Sequence, residues 1–139
     1  ECFASNDALR NLTPIGRQYI EEKITEFKKE LSEIDCIIHS PYVRAVQTAD
    51  IVANALDVQS QISLPCWTPD SPPQKALQSL EPYMDKSVLV VTHMPLIGSV
   101  EALLCEGDCR YSRGYSCAEI ADIKVDWPAA GLGVLLKPF

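Results

Sequence analysis

Two short apolar runs, Cys36-Ile37-Ile38-His39 and Ser87-Val88-Leu89-Val90-Val91-Thr92, each stop at a proline-bearing turn and pass straight into a segment with helical spacing. This strand, turn, helix order restricts the fold more than anything else in the chain. Strands that leave through a helix rejoin their sheet by a right-handed crossover and lie parallel. Parallel strands are covered by helices on both faces, so they read as near-continuous apolar runs of the kind seen in Val88 to Val91. The expectation is an α/β fold, a three-layer α/β/α arrangement on a mainly parallel sheet. Ligands of such sheets sit outside the carboxyl ends of the strands. Arg44 and His93 both follow strand ends and project from that same edge.

The remaining elements alternate around these two. Thr13 is placed to cap a helix with Pro14 at its first position, and Ile15, Tyr19, Ile20, Ile24, Phe27, Leu31 and Ile34 recur at helical spacing, predicting a helix to about Ser32. Asp35 to His39 follows as a strand and Tyr42 to Leu56 as a helix, with Val43, Val46, Ala49, Ile51, Ala53 and Ala55 available for its buried side. The Pro- and Ser-rich stretch from Leu64 to Pro73, which contains Trp67, reads as a loop at the rim of the site. Gln74 to Met84 reads as a modest helix, and Pro95 opens an apolar one through Leu96, Ile97, Val100, Leu103 and Leu104. Alternation returns from Ser116 to Val125, and Gly131 to Leu136 supplies a last strand, expected to pair antiparallel with its predecessor at a sheet edge.

Composition narrows the function. The 139 residues suit a single domain. A formal charge of −7 argues against nucleic acid or an anionic membrane as the partner, because both would be repelled at long range. Any anion site must then be a local basic spot on an acidic protein. No run approaches the ~20 apolar residues of a membrane span, and no amino-terminal leader is visible. Six cysteines invite a disulfide or zinc reading, but there is no Cys-x-x-Cys pair, and Cys105, Cys109 and Cys117 match no common zinc pattern. Cys36 and Cys105 fall in apolar segments where a free thiol acts as a small hydrophobe. No metal and no cofactor is expected, and a reduced, cytoplasmic protein is the simpler account.

Arg44 offers a planar fork of donors suited to phosphate or carboxylate. An isolated arginine in a first turn would be read equally well as a surface ion pair; its companions decide. Ser40-Pro41-Tyr42-Val43-Arg44-Ala45-Val46-Gln47-Thr48-Ala49 resembles the Ser-Pro-x-x-Arg-Ala-x-Gln-Thr-Ala motif of the histidine phosphatase superfamily, the phosphoglycerate mutase-like enzymes. Leu12-Thr13-Pro14-Ile15-Gly16-Arg17-Gln18 with Arg10 upstream, and Val90-Val91-Thr92-His93-Met94-Pro95-Leu96-Ile97-Gly98 downstream, match in the same order. Short length and the Leu104-Cys105 step make the chain resemble the SixA-type phosphohistidine phosphatases in particular, over residues 7 to 105.

The resemblance implies a phosphoglycerate mutase-like fold and two phosphoryl transfers, first to an enzyme histidine and then to water. That histidine stands in an Arg-His-Gly triplet closing the first strand, and the triplet is absent from the 139 residues. Glu1 falls where the acidic residue after the triplet would stand. The expectation is therefore a chain trimmed at its amino terminus, whose central first strand exists upstream or is supplied by another chain. Arg44 and Arg10 would bind the phosphoryl oxygens, and His93 would donate a hydrogen bond to one of them or help proton traffic. The catalytic residues implied are His93 and Arg44, with Arg10 as a phosphate contact. Glu1 could position the nucleophile. His39, beside Ser40-Pro41, is either a second imidazole at phosphate or a strand cap.

Arg17 and Gln18 read as structural, covering the sheet or pairing with Glu21, and Ser40 and Thr48 as bonded to local backbone. The acidic candidates Asp70 and Glu81 have no recognisable context as leaving-group acids. A phosphohistidine substrate lessens the need for one, because protonated imidazole is already a good leaving group. The implied partner is a phosphorylated histidine-containing phosphotransfer protein, with inorganic phosphate as product. A small-molecule phosphomonoesterase and a non-catalytic phosphate- or phosphoprotein-binding module stay open beside it.

Overall fold

The computed structural model of the protein describes residues 6–138. They form two compact units. The first comprises the residues up to Pro65 together with Lys86–Val91, and the second comprises Cys66–Asp85 together with the residues from Thr92 onward.

The first unit holds helix α1 (Pro14–Glu26), strand β1 (Cys36–His39), helix α2 (Val43–Leu56) and strands β2 (Ser60–Ser63) and β3 (Val88–Val91). The strands make a parallel sheet in the order β2-β1-β3, with His39 opposite both Ser63 and Val91. All four β1 residues are buried, as a strand flanked on both edges requires. The four β3 residues are only half-buried. Ser40 continues the ladder by one bond, its N–H donating to the Val91 carbonyl (3.0 Å). Ile20, Ile24 and Leu31 supply the buried stripe of the first helical stretch, and Ala45, Ala49, Ile51, Val52 and Ala53 that of α2. Small residues on α2 let it pack closely against both α1 and β1.

Helix α1 begins as expected, with Thr13 Oγ1 accepting from the Gly16 N–H (3.0 Å) and Pro14 in its first turn. It ends at Glu26, short of Ser32. Phe27 leaves helical geometry (φ −105°, ψ 18°), and beyond it the bonds of Ser32 and Ile34 tighten to residues three back. The Ser32 hydroxyl also donates to the Lys29 carbonyl (2.8 Å), competing with a regular ladder. Ile15 and Tyr19, which share the periodicity, face solvent at 80% and 50% exposure.

Strand β2 has no counterpart among the sequence expectations. Its sequence, Ser-Gln-Ile-Ser, carries one apolar residue, and backbone pairing with β1 holds it.

In α2 the last turn closes on Asp57, which adopts the left-handed conformation (φ 56°). A carboxylate there is doubly unfavourable: its Cβ is strained, and its charge lies at the negative end of the helix dipole. Asp57→Gly should therefore stabilise the protein by about 1 kcal/mol, after the greater freedom of glycine in the unfolded chain is counted. Chemical denaturation reads this directly; unchanged stability would mean that the Gln59 Nε2 bond to Asp57 Oδ1 (3.1 Å) offsets both effects.

The second unit holds helices α3 (Pro73–Gln78) and α4 (Leu96–Glu106) and an antiparallel pair, β4 (Ala121–Lys124) with β5 (Val134–Pro138). The expected antiparallel partners are these two, and they make a two-stranded sheet of their own. The helix expected over Gln74–Met84 splits into α3 and a 3-10 turn at Glu81–Tyr83. Pro82 lacks the N–H that a continuous helix needs, and Ser79 turns its hydroxyl onto the Ala76 carbonyl (2.6 Å) while accepting from Trp67 Nε1 (3.0 Å). Trp67, expected in a rim loop, is 2% exposed.

Helix α4 packs against α3. Its last carbonyls are covered in turn. Gly107 (φ 77°) and Gly131 (φ 75°) both donate to Leu103, at 3.1 and 3.0 Å, and Gly133 donates to Leu104 at 2.8 Å. Among the described residues no helix is long and apolar enough to cross a membrane.

Candidate functional site

In the first unit the carboxyl end of β1 runs into α2 through Ser40 and Pro41. Ser40 is fully buried, and its hydroxyl accepts from the Tyr42 N–H (3.2 Å), fixing the turn that aims the first residues of α2. Arg44 is the second residue of that helix. Its guanidinium lies 5.2 Å from the centroid of the Tyr42 ring and a quarter of its side chain is exposed. Thr48 returns its hydroxyl to the Arg44 carbonyl (2.8 Å), a local backbone bond of the expected kind.

The upstream segment is tied to the same helix. Gln47 Oε1 accepts from the Leu12 N–H (2.7 Å) and its Nε2 donates to Asn11 Oδ1 (2.9 Å). The glutamine of the motif thus clamps the chain beside Arg10 to α2, one turn on from Arg44. Asp7 completes the arrangement from a 3-10 turn, Asp7–Leu9, that Asn6 caps. Arg44 Nη1 donates to the Asp7 carbonyl (2.8 Å) and to Oδ1 (3.3 Å), and Nη2 donates to Oδ2 (3.1 Å). Arg10 Nη1 donates to the same oxygen, Asp7 Oδ1 (3.2 Å). Two arginines from separate elements therefore converge on one carboxylate. The hydrogen bond from Arg44, more than any other influence, holds that carboxyl below the usual range. Sequence reasoning paired neither arginine with Asp7.

His39 is 5% exposed, and its Nδ1 lies 2.8 Å from the Ser40 carbonyl oxygen. A carbonyl only accepts, so Nδ1 carries a proton and the ring is fixed by a backbone bond. Gln18 pairs with Glu22 (2.8 Å), the residue four ahead, in place of Glu21. Glu1 lies outside the described residues.

In the second unit His93 is half-buried with its Nε2 shielded from solvent. Its carbonyl accepts from the Ile97 N–H (2.9 Å) and so opens α4, while its neighbour Thr92 donates its hydroxyl to the Trp67 carbonyl (2.8 Å). The Met94-Pro95 peptide between them and the helix is cis. Gly98, the last residue of the histidine motif, allows a close approach: a Cβ there would stand 2.3 Å from the Arg113 carbonyl oxygen.

That approach brings a charged cluster onto α4 that sequence reasoning missed. Glu101, 8% exposed, is held bidentately by the side edge of Arg113 (Nε to Oε1 2.8 Å, Nη2 to Oε2 2.9 Å) and accepts from the Tyr115 hydroxyl. Arg113 also donates to Glu119, whose second oxygen accepts from the Ser116 N–H (2.8 Å). Burial, followed by the Glu101 contact, pushes the Tyr115 phenol well above its ordinary range. The sequence signal was a lone acid amid Val100, Ala102 and Leu103.

The described cysteines are free, and burial pushes the thiols of Cys36 and Cys105 up, away from the thiolate form a nucleophile needs.

Comparison with known proteins bears on this arrangement. A family model, the histidine phosphatase superfamily (branch 1), matches residues 7–64, the stretch that carries Asp7, Arg10 and Arg44. The phosphohistidine phosphatase SixA homolog of Haemophilus influenzae is 34% identical over 115 residues, 75% of this chain and 70% of that protein. SixA of Escherichia coli is 34% identical over 109 residues, 76% of this chain and 68% of that protein. Among solved structures, the protein histidine phosphatase SixA complexed with tungstate has a TM-score of 0.86 at 28% identity, covering 99% of this chain and 88% of the other. A phosphoglycerate mutase from Plasmodium falciparum shares the fold, with a TM-score of 0.72 at 21% identity over 93% of this chain and 86% of its own. Motif order, fold and relatives named as phosphohistidine phosphatases, which are hydrolases, agree: the chain belongs to the histidine phosphatase superfamily.

Proposed function

We propose that residues 1–139 work as one histidine phosphatase domain that removes the phosphoryl group from phosphohistidine on a phosphotransfer protein, releasing inorganic phosphate. The observation that carries this reading is the convergence of Arg10 and Arg44 on the Asp7 carboxylate, from the residue that closes a 3-10 turn and from the first turn of α2. A phosphoryl group in transfer spreads negative charge over its equatorial oxygens, and guanidiniums already in place stabilise it without reorganising. Arg44 and Arg10 take that role, and His93 hydrogen-bonds a phosphoryl oxygen or carries a proton. The relatives support the substrate class, since two of them are named as phosphohistidine phosphatases.

The nucleophile this reaction calls for, a histidine in an Arg-His-Gly triplet, is not among the 139 residues, whose two histidines are His39 and His93. The test therefore uses the full translation product of the gene, assayed on a phosphohistidine-bearing phosphotransfer protein and on a sugar phosphate. Turnover of the phosphoprotein with little of the sugar phosphate is the expected result. The reverse preference would make it a small-molecule phosphomonoesterase, and phosphate binding without turnover a binding module. His93→Ala should lower kcat by about two orders of magnitude, the usual scale for losing a proton donor at the reacting group, while binding inorganic phosphate within a fewfold of wild type. Undiminished kcat would remove His93 from the site.

A further inference from the structure

Asp7 does more than neighbour the two arginines. It takes three donor contacts from Arg44, two at Nη1 and one at Nη2, and a fourth from Arg10. A guanidinium has five N–H groups in a fixed plane. Contacts at Nη1 and Nη2 occupy the end of the Arg44 fork and leave its side edge, Nε–H with the second Nη2–H, which makes no hydrogen bond to the described residues. That edge is itself a bidentate fork for an oxyanion. An anion seated on it would share both arginines with a carboxylate already in place.

Resting on the proposed function above, we infer that Asp7 is a built-in competitor for the phosphate site: its carboxylate occupies one edge of the Arg44 fork and part of Arg10, and so weakens the hold of the site on free phosphate. The backbone reinforces this placement, because the Asp7 carbonyl accepts from both Arg44 Nη1 (2.8 Å) and the Arg10 N–H (3.2 Å). The carboxylate stays ionised because Arg44 stabilises its charged form. A site with two unopposed arginines would retain its product. One carrying a permanent counter-anion releases it, and the arginines stay ordered while the site is empty.

Titration calorimetry with inorganic phosphate, on wild type, Asp7→Asn and Arg44→Ala, tests this. Asparagine keeps the size and one acceptor of the side chain while removing its charge. Taking a unit charge from beside a bound anion at a protein surface is worth about a factor of ten, so Asp7→Asn should bind phosphate about tenfold more tightly than wild type. Asp7→Ser, which removes the charge and shortens the contact, should move affinity the same way. Asp7 is half exposed, and a thermal melt monitored by circular dichroism checks that each variant is folded. If both Asp7 variants bind phosphate as weakly as wild type or more weakly, while Arg44→Ala loses binding, Asp7 is a support for the arginines and the competitor role is overturned. If Arg44→Ala binds phosphate like wild type, the phosphate-site reading fails and this inference with it.

Discussion

Arg44→Ala is expected to reduce phosphate or tungstate affinity by about a hundredfold and to remove nearly all phosphatase turnover. Each charge-assisted hydrogen bond from the guanidinium is worth about 1.5–3 kcal/mol, so losing a bidentate pair reaches the hundredfold range even after water replaces part of it. The effect on the rate should be larger than on binding, because charge builds on the phosphoryl oxygens during transfer. Stability should barely change. The interaction lost within the protein is a half-exposed ion pair with Asp7, a class that contributes about 0–1 kcal/mol. Calorimetry, a turnover assay and a thermal melt on the same preparation separate these effects. Wild-type affinity in the variant would exclude Arg44 from the phosphate site, and a collapse of the melt would make it a folding residue. Arg44→Lys is the informative companion. Lysine restores the charge but not the planar fork, so a variant that recovers binding and not rate would show that geometry is what the reaction uses.

The parts of this protein that were legible in the sequence are those whose local signal agrees with their tertiary role. Strand β1 is apolar because it is buried on both faces and paired on both edges. Helix α2 has small and apolar residues along a face that packs against β1 and α1. Where the signal is weak, the fold is carried by backbone pairing or by a single competing bond. Strand β2 has only Ile62 to mark it, yet it is in register with β1 along its whole length. Helix α1 stops early because Phe27 and Ser32 divert the hydrogen bonds, although Leu31 remains buried on the same stripe.

The candidate site divides in the same way. Arg44, Arg10 and His93 are visible as motif residues because each follows a strand or precedes a helix in a set order. Asp7 is not visible. Three residues before Arg10 it reads as an ordinary surface pair, and its importance comes from Arg44, which is 37 positions away in sequence. Gln47 lies within the motif, but its work of holding Leu12 and Asn11 to α2 depends on a contact that no spacing reveals. The Glu101 cluster is the extreme case, since its direct partners Arg113 and Tyr115 lie 12 and 14 positions away in a segment without periodicity.

Gly98→Ala should be the most damaging single-methyl change in the second unit. Helix propensity alone favours alanine over glycine in a helix by about 1 kcal/mol, so a naive reading predicts a gain. The added Cβ, however, would stand 2.3 Å from the Arg113 carbonyl oxygen and 2.7 Å from Ser112 Oγ. The nearer contact is backbone and cannot rotate away, so the segment must lift off α4. Overpacking of this kind costs about 1–3 kcal/mol. Lifting Arg113 also loosens its grip on Glu101, a carboxylate with little access to water, and an uncompensated charge there adds a further penalty. A net loss of about 2–3 kcal/mol is expected in urea denaturation once the propensity gain is subtracted. The mechanism is checked by adding Glu101→Gln. If the methyl acts by prising Arg113 from Glu101, the second change should cost markedly less in Gly98→Ala than in wild type, since the interaction it removes is already weakened. Additive losses would mean that the clash is absorbed locally and the Arg113 contact survives, and a variant as stable as wild type would show that the close approach at Gly98 is not required.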